Sequence, residues 1–384
     1  MVQTVYRLPF RLLGIPVHLD LTFLLALPLL AWLIGTEVDR FAEALGLGAD
    51  SESLTQGIRP YVLGFFAAVS LFVSVLAHEL GHSVVGRRFN LRIRSITLWI
   101  LGGMAQFEMI PRKRGTEAIM AIAGPITSLV VGFIAWLLLH LMPESFPGTR
   151  FVLAYVMHMN IILATFNLLP ALPLDGGRVF RSVLALRIPY LRATQIAAAT
   201  SKFLALLLGL IGVIFFNIWM ILIAFFIYIA VTGESEYATV STMLRGIEVE
   251  DLMTRQVVTV SSETRVSDLV QRMFRERHLS FPVLDDTSRL VGFVTLQDIR
   301  RMKASGQPEA ETTVGEIMTH DVERIGEHES AFEAFQRIGR SKTGRLVVID
   351  QFGRLIGLIS KTDLIRAVQV RTVEGIEDTE EDSR

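Results

Sequence analysis

Apolar residues are concentrated in the first part of the chain, before about residue 232, and the remainder has the mixed pattern of a soluble protein. The first part contains six apolar runs that approach the roughly 20 residues needed to cross a bilayer as a helix. They lie near residues 17–35, 61–85, 116–141, 151–174, 200–216 and 218–232. The last two are short and nearly contiguous around Asn217, so they are either two helices with a tight turn or one bent element. The pattern predicts an α-helical membrane domain of about six spans.

The charges between these runs predict how the spans are oriented. Residues 37–60 carry five acidic side chains and two arginines, whereas residues 87–115 carry seven basic side chains and residues 176–193 carry four. Because basic loops stay in the cytoplasm, the N-terminus, both basic segments and the C-terminal part are predicted to be cytoplasmic. An even number of spans permits this arrangement. We therefore predict a multi-pass protein of the plasma membrane.

The second run ends in His78-Glu79-Leu80-Gly81-His82, which places three ionisable side chains in a segment apolar enough for a membrane. Residues i and i+4 project from the same face of an α-helix, so His78 and His82 can bind one metal ion. Glu79 beside them suits an acid or a base. Ionisable side chains are costly inside a membrane, which indicates a function. The alternative is the amphipathic end of a membrane helix with two interfacial histidines.

The fourth run ends in the sequence NLLPALPLDGG at residues 167–177. Its two prolines break the helix on the cytoplasmic side, and Asp175 follows them close to the membrane depth of His78. Two histidines and one carboxylate would leave the fourth position of a zinc ion for water, as in catalytic zinc sites. Otherwise Asp175 is a residue of a helix-breaking turn. Asn167 is a candidate for stabilising a developing oxyanion, or for a structural bond between helices.

The segment at residues 92–109 is apolar but contains Gly102 and Gly103, preceded by residues that favour β-strands. It is either an ordinary interfacial loop or a strand that dips into the membrane, where irregular backbone must be buried or line a cavity. The edge of such a strand could pair with an extended peptide substrate. In the third run, Gly124-Pro125 indicates a close-packing position or a kink.

The first part of the chain, roughly residues 7–232, resembles the site-2 protease family of intramembrane zinc metalloproteases. The resemblance rests on HELGH at 78–82 and NLLPALPLDGG at 167–177, and is supported by LGGMA at 101–105 and AGP at 123–125. The two main motifs are specific in this order and spacing. The resemblance implies a zinc endopeptidase whose substrate is a transmembrane protein, which we expect to have a single span.

The resemblance also implies a role for each candidate residue. Glu79 would be the general base, and Asn167 would assist at the transition state. A strand around Gly102 and Gly103 would align the substrate. One zinc ion per chain would have three protein ligands, namely His78, His82 and Asp175.

From Asp251 onwards the chain contains an internal repeat. A shift of 65 residues aligns 251–301 with 316–366 without a gap. An amphipathic helix is predicted at 266–277, and alternating apolar residues predict strands at 257–260, 281–284 and 290–294. Each unit therefore has the order β-α-β-β-α, and a duplication of this length is not chance.

The repeats resemble CBS domains, which occur in pairs and often bind adenine nucleotides. The matching signature is a hydroxyl residue three positions before an aspartate, as in Thr295 with Asp298 and Ser360 with Asp363. The carboxylate can accept hydrogen bonds from two ribose hydroxyls while the hydroxyl contacts a phosphate. In the alternative, both aspartates only cap the helices that follow them. The resemblance implies ATP or AMP as a ligand and a homodimer through the CBS domains.

Composition restricts the partners. The chain has no cysteines, so a metal ion must be bound by His, Asp or Glu, and its net charge of −1 indicates no nucleic-acid partner. We predict an α-helical membrane domain followed by an α/β tandem CBS pair. The predicted boundaries are 1–232 for the membrane domain, 233–250 for a linker, 251–303 and 316–370 for the CBS domains, and 371–384 for an acidic, disordered tail.

The leading functional prediction is a zinc protease that cuts a transmembrane protein near the cytoplasmic face and is regulated by nucleotide at the CBS pair. Two alternatives are a metal-ion transporter or channel gated by CBS domains, and an inactive membrane scaffold that senses nucleotide. A transporter would need carboxylates along a path across the spans, whereas the ionisable residues here cluster at one depth. The presence of Glu79 beside the histidines argues against the scaffold.

Overall fold

The computed structural model describes residues 5–47, 51–91, 93–99, 102–107, 115–287, 289–341 and 343–373. The chain divides into two compact units, Met1–Ser235 and Glu236–Arg384. The predicted acidic tail lies outside the described residues from position 374 onwards.

The first unit contains a four-stranded sheet built from two distant parts of the chain. Its strands, in the order β1-β2-β3-β4, are β1 (Val5–Leu12), β2 (Ile15–Asp20), β3 (Ile93–Trp99) and β4 (Gly102–Phe107). The β2–β3 pairing is parallel and the other two are antiparallel. The strand predicted within residues 92–109 is therefore present, and β4 ends the strand order.

The first apolar run begins as a strand and not as a helix. Ile15 and Val17 are buried while the residues between and after them are partly exposed, which is the two-residue alternation of a strand. Helix α1 (Leu21–Thr36) begins only after Asp20, whose carboxylate accepts a hydrogen bond of 2.9 Å from the Thr22 backbone nitrogen. This side-chain cap satisfies a free donor at the start of the helix.

Nine described helices begin in the first unit, and the last of them ends beyond Ser235. They are α1, α2 (Val38–Ala44), α3 (Ser51–Leu54), α4 (Arg59–Arg88), α5 (Thr116–Leu141), α6 (Pro147–Asn167), α7 (Asp175–Leu184), α8 (Tyr190–Ile214) and α9 (Ile218–Met243). Five of them, α4, α5, α6, α8 and α9, are long and apolar enough to cross a membrane. Helices α1 and α2 are bent by 71° and make a sixth span if they are counted together. The predicted six spans match this upper count.

The structure shows where the fourth apolar run stops being helical and whether the fifth and sixth runs are separate helices. Helix α6 ends at Asn167, and the proline-containing stretch up to Leu174 is not helical, so the predicted break is present. Helices α8 and α9 are separate: Phe216 has a left-handed φ of 51°, and the Asn217 side chain accepts from the Trp219 backbone nitrogen at 3.1 Å. Residues 176–193, predicted as a loop, contain most of α7 and the start of α8.

Helix α4 is the centre of the first unit and packs against α1, α5 and α6. Glycines allow two of these contacts to be close. A Cβ on Gly64 would lie 2.2 Å from the Ala31 carbonyl oxygen of α1, and a Cβ on Gly81 would lie 2.2 Å from Thr127 Oγ1 of α5. Small residues at such contacts are typical of packed membrane helices.

The second unit consists of two similar α/β repeats. The first contains β5 (Val260–Ser261), α11 (Val266–Glu276), β6 (Ser280–Leu284), β7 (Leu290–Thr295) and α12 (Leu296–Ala304), preceded by the single turn α10 (Val249–Leu252). The second contains β8 (Arg324–Gly326), α14 (Ala331–Arg340), β9 (Arg345–Ile349), β10 (Leu355–Ser360) and α15 (Lys361–Val373), preceded by the turn α13 (Val314–Ile317). Each forms a sheet with one parallel and one antiparallel pairing. The strand predicted at 257–260 is wrong in its bounds, because β5 covers only Val260–Ser261 and overlaps the prediction at one residue.

The segments that open the two repeats are exchanged between the repeats. Met253 packs in the core of the second repeat, while Met318 packs against the core of the first. A Cβ on Gly357 would lie 2.5 Å from the Met253 sulfur, and a Cβ on Gly292 would lie 2.5 Å from the Met318 sulfur, so each methionine packs directly against a glycine of the other repeat. A single repeat therefore does not contain its whole hydrophobic core, because the opening segment of each repeat packs into the core of the other.

Candidate metal centre and catalytic residues

The two histidines of the HELGH motif lie one turn apart on the buried face of α4. His78 is 4% exposed and His82 is 8% exposed, and both point at α5 and α7. The i, i+4 spacing therefore brings the two imidazoles together as predicted. Their Nε2 atoms are 3.1 Å apart.

Asp175 reaches these histidines because the chain is broken and tightly packed just before it. A Cβ on Gly176 would lie 2.2 Å from the Leu168 carbonyl oxygen, and a Cβ on Gly177 would lie 2.2 Å from the Leu172 nitrogen. The Leu172 nitrogen also donates to Ser201 Oγ of α8 at 2.7 Å. The two glycines thus let the start of α7 lie against the preceding turn, and Asp175 is its first residue.

The three side chains form a compact set of donor atoms. Asp175 Oδ2 lies 3.1 Å from His78 Nε2 and 3.1 Å from His82 Nε2, and Asp175 is 7% exposed. A tetrahedral zinc ion at its usual ligand distances holds its ligand atoms about 3.3 Å apart. The spacing of the three atoms therefore fits one such ion, and the group is one that could hold a metal.

Neighbouring groups orient both imidazoles for a metal. His82 Nδ1 lies 2.7 Å from the Met120 carbonyl oxygen, which can only accept, so Nδ1 carries the proton and Nε2 is free to bind. His78 Nδ1 lies 2.9 Å from Ser128 Oγ, which is fully buried. Such partners hold the ring plane and tautomer of metal-binding histidines.

Gly124 leaves open space beside the two candidate metal-binding nitrogens. A Cβ at this position would lie 2.3 Å from His82 Nε2 and 2.6 Å from His78 Nε2. Gly124 was predicted as a close-packing position or a kink. The structure shows close packing, and the atoms it packs against are the two candidate metal-binding nitrogens.

Glu79 lies beside β4. A Cβ on Gly103 would lie 2.5 Å from Glu79 Cγ and 3.2 Å from its Cδ, so the strand approaches this side chain as closely as a glycine permits. The register pairs Gly103 with Leu98 and Gly102 with Trp99. Gly102 has a positive φ of 136°, which favours glycine. The structure thus brings the predicted base and the predicted substrate strand together.

Asn167 is the last residue of α6, and its Nδ2 donates to the Leu163 carbonyl oxygen at 2.9 Å. Among the described contacts, none joins Asn167 to the two histidines or to Asp175. Its role at the transition state stays a prediction.

Sequence patterns did not identify Ser128 or the Met120 carbonyl. They lie 50 and 38 residues from the histidines they contact, and no periodicity connects such positions. The AGP motif just before Ser128 indicates that α5 packs closely against another element, but the motif does not identify that element.

Comparison with known proteins agrees with the geometry. The model of peptidase family M50 matches residues 66–146 and 144–210, and the CBS domain model matches residues 249–305 and 314–370. A zinc metalloprotease of Methanocaldococcus jannaschii is 31% identical over 364 residues, which cover 94% of this chain and 95% of that protein. The chain belongs to peptidase family M50. The predicted resemblance to site-2 proteases with a CBS pair is confirmed.

Two solved structures resemble parts of this M50 family member. The site-2 protease from Methanocaldococcus jannaschii is 32% identical and covers 60% of this chain and 95% of that one, with a TM-score of 0.43. The CBS-pair protein CBSX2 from Arabidopsis thaliana, solved in complex with AMP, is 27% identical and covers 33% of this chain and 99% of that one, with a TM-score of 0.30.

The CBS pair of this M50 family member places its two signature pairs at helix starts. The backbone nitrogen and Oγ1 of Thr295 donate to Asp298 Oδ2 at 2.8 and 2.7 Å, at the start of α12. Ser360 donates in the same way to Asp363 Oδ2 at 2.9 and 2.6 Å, at the start of α15. Both aspartates therefore do close helix caps. Nucleotide binding at these residues stays a prediction.

A cleft of about 200 Å³ lies beside one of these caps. Asp298 is 4% exposed, and its Oδ1 accepts from Arg301 at 2.7 Å. The lining residues are Asp298, Arg301, Met302, Ser305, Gln307 and Ile317.

Proposed function

We propose that this protein is an intramembrane zinc endopeptidase that cuts a transmembrane protein near the cytoplasmic face. The observation that carries the proposal is the convergence of His78, His82 and Asp175, whose donor atoms lie 3.1 Å apart although the histidines and the aspartate come from different helices. Three ionisable side chains buried together in an apolar unit need a partner that a metal ion supplies.

The reaction proposed is hydrolysis of a peptide bond. When bound by the three ligands, zinc supplies an acidified water and polarises the carbonyl that is attacked. Glu79 accepts the proton of the attacking water and passes it to the leaving amide nitrogen. The carbon–nitrogen bond breaks, and the products are a carboxylate and an amine. Asn167 would donate a hydrogen bond to the developing oxyanion.

The substrate is proposed to bind as an extended chain along β4. The carbonyl groups of a helical substrate are engaged in its own hydrogen bonds, so the helix must unwind before the attack. Strand β4 ends the strand order of its sheet, and Gly103 lies against Glu79. Adding a strand there would place a substrate backbone beside the proposed base.

The proposed location is the plasma membrane, with both termini in the cytoplasm. The support is the excess of arginine and lysine at residues 87–115 and 176–193 over the acidic segment at 37–60. The histidines lie near the C-terminal end of α4, which this orientation places on the cytoplasmic side.

The CBS pair is proposed to bind an adenine nucleotide and to regulate cleavage. The support is the cleft beside Asp298 and the two Thr/Ser–Asp pairs, since a carboxylate that closes a cap retains acceptor capacity for ribose hydroxyls. Dimerisation through the CBS domains is part of this proposal. Equal cleavage rates with and without ATP, in a preparation that binds ATP, would contradict the regulatory part.

The first test is Glu79→Gln in the full-length protein, co-expressed with a panel of candidate single-span membrane proteins. We expect cleavage to fall by about a hundredfold or more, because general acid–base groups contribute at least this much. We expect zinc content to stay at one ion per chain by metal analysis. Glu43→Gln, an exposed carboxylate on α2, is the matched control. Undiminished cleavage by Glu79→Gln would exclude Glu79 as the base.

A further inference from the structure

Helix α7, which begins with the zinc-ligand candidate Asp175, carries a buried arginine that the proposed chemistry does not use. The Arg181 side chain is 3% exposed. Its Nε donates to Glu117 Oε1 at 3.1 Å, and its Nη2 contacts the same oxygen. Nη2 also lies 3.1 Å from Glu234 Oε1. We call Arg181, Glu117 and Glu234 the Arg181 cluster.

Arg181 joins α7 to three other helices, two of them through the Arg181 cluster. Glu117 belongs to the first turn of α5 and Glu234 belongs to α9. The Arg181 guanidinium also lies 5.4 Å from the ring centre of Tyr190, the first residue of α8. Because a guanidinium is planar and donates in fixed directions, these partners fix the position and the rotation of α7, which a flexible ammonium would not do.

Arg178 provides a second positive charge near the cluster. It is partly exposed, and its Nε lies 4.0 Å from Glu234 Oε1. Two arginines and two glutamates thus balance in charge at one end of the helices. A buried, balanced ion pair adds little net stability over an apolar replacement, and its best-supported use is to select one arrangement.

We propose that Arg181 is a positioning residue for Asp175. Arg181 follows Asp175 by six residues, about 9 Å along one short helix, so a rotation of α7 moves both ends together. On the other side, Asp175 must stay within reach of two imidazoles that α4 holds independently. Loss of the Arg181 contacts therefore moves the carboxylate relative to the histidines and weakens the metal site without removing any ligand.

The cluster also connects α9 to the metal site. Glu234 of α9 lies 3.1 Å from Arg181 Nη2, so the position of α9 bears on α7 through this contact. The inference rests on the proposed function, since Asp175 is proposed there as a metal ligand.

The test measures zinc affinity of the full-length protein in nanodiscs by competition with a chelator, together with the visible spectrum of the cobalt-loaded form. Neither readout needs a substrate. For Arg181→Met we expect zinc affinity to fall about tenfold, the lower end of the range for residues that orient a metal ligand. The cobalt spectrum should lose intensity, because the site departs from tetrahedral geometry. Arg181→Lys should recover only part of the affinity.

Arg187→Met is the matched control, because Arg187 is exposed just after α7. If Arg181→Met lowered the melting temperature but left zinc affinity and the cobalt spectrum unchanged, Arg181 would be only a structural anchor and the proposal would be overturned. If Arg181→Met does not fold, the variant to use is Glu117→Gln, which removes the charge that two nitrogens of Arg181 contact, with the exposed Glu236→Gln as its control. Unchanged zinc affinity and cobalt spectrum in Glu117→Gln would then overturn the proposal.

Failure of this inference is distinguishable from failure of the proposed function. Asp175→Ala is measured in the same assay. If Asp175→Ala did not weaken zinc binding, the metal site itself would be wrong. If Asp175→Ala weakened it and Arg181→Met did not, only the positioning role would be lost.

Discussion

Aspartates in both units of this protein make short hydrogen bonds, but the sequence separation between each aspartate and its partner differs between the two units. In the membrane unit, Asp175 contacts His78 from 97 residues away. In the CBS pair, Asp298 and Asp363 contact Thr295 and Ser360 only three residues away. A contact over three residues is explained by the local helix start, whereas a contact over 97 residues is explained only by the fold or by a function. A hydrogen-bonded aspartate therefore indicates a site in the membrane unit, whereas in the CBS pair it indicates only a helix cap.

The surroundings of the two kinds of aspartate reinforce this difference. Around Asp175, glycines at 103, 124 and 176 clear space that any larger side chain would fill. These glycines allow backbones and polar atoms from separate elements to approach a common point. At Asp298 and Asp363 the polar atoms belong to one helix and its cap, so their arrangement needs no ligand. The membrane unit therefore brings distant polar groups together at one point, whereas the local helix start accounts for the contacts of Asp298 and Asp363.

The largest expected effect comes from removing the distant contact. Asp175→Ala deletes a metal ligand and leaves two imidazoles, so we expect zinc affinity and cleavage to fall by more than the 10–100-fold typical of residues that only support a ligand. Metal analysis and a cleavage assay with a co-expressed substrate measure the two effects. Asp39→Ala, an exposed carboxylate on α2, is the control. If Asp175→Ala still bound one zinc ion per chain, Asp175 would not be a metal ligand, and its role would be no different from that of a helix-cap residue.

A smaller effect is expected when the ligands stay and only their space is filled. A Cβ on Gly124 would lie 2.3 Å from His82 Nε2, whereas the nearest atoms to a Cβ on Gly132 of the same helix are at 3.4 Å. We expect Gly124→Ala to lower zinc affinity about 10- to 100-fold, the range for changes that misplace a metal ligand. Gly132→Ala should leave it unchanged. Equal zinc affinities of the two variants would show that the space beside the histidines is not needed for a metal.

Sequence patterns predicted the parts of the site that follow from local geometry. The HELGH spacing implies two imidazoles on one helix face, and the prolines before Asp175 imply a broken helix. Both are present. The patterns also implied a strand around Gly103, but not its contact with Glu79, because that contact joins a helix to a sheet edge.

What the patterns missed depends on contacts between distant segments. The first apolar run was interpreted as one span, although residues 15–20 form a strand that pairs with β3. Arg181 was counted only as a positive charge of a cytoplasmic loop, although it is buried and paired with Glu117. The alignment of the repeats predicted a CBS pair but not the exchange in which Met253 and Met318 each pack against the other repeat. Periodicity records which face of an element is apolar, not which element covers that face.

The smallest expected effect concerns the local pairs of the CBS unit. Replacing Thr295 by Ala removes the cap of α12, and we expect a loss of about 1 kcal/mol in the stability of that helix start. In hydrogen exchange this corresponds to roughly fivefold faster opening of the first turn of α12, since 1.4 kcal/mol is a factor of ten. Ser360→Ala should have a similar effect on α15. Zinc affinity and nucleotide-free cleavage should not change in either variant.

The same two variants decide whether the caps also serve a ligand. A pair that only caps its helix loses stability and nothing else, whereas a pair that also binds nucleotide loses affinity for AMP in addition. The proposed nucleotide site predicts weaker AMP binding for Thr295→Ala by calorimetry, with Thr287→Ala as a control in which the lost hydroxyl donates only to the exposed Asp285 turn. Unchanged AMP affinity would mean that the hydroxyl of Thr295 acts only within its own helix. The two regions would then differ fully. In the membrane unit distant residues form a site, whereas at Thr295 the hydrogen bonds serve only the local helix start.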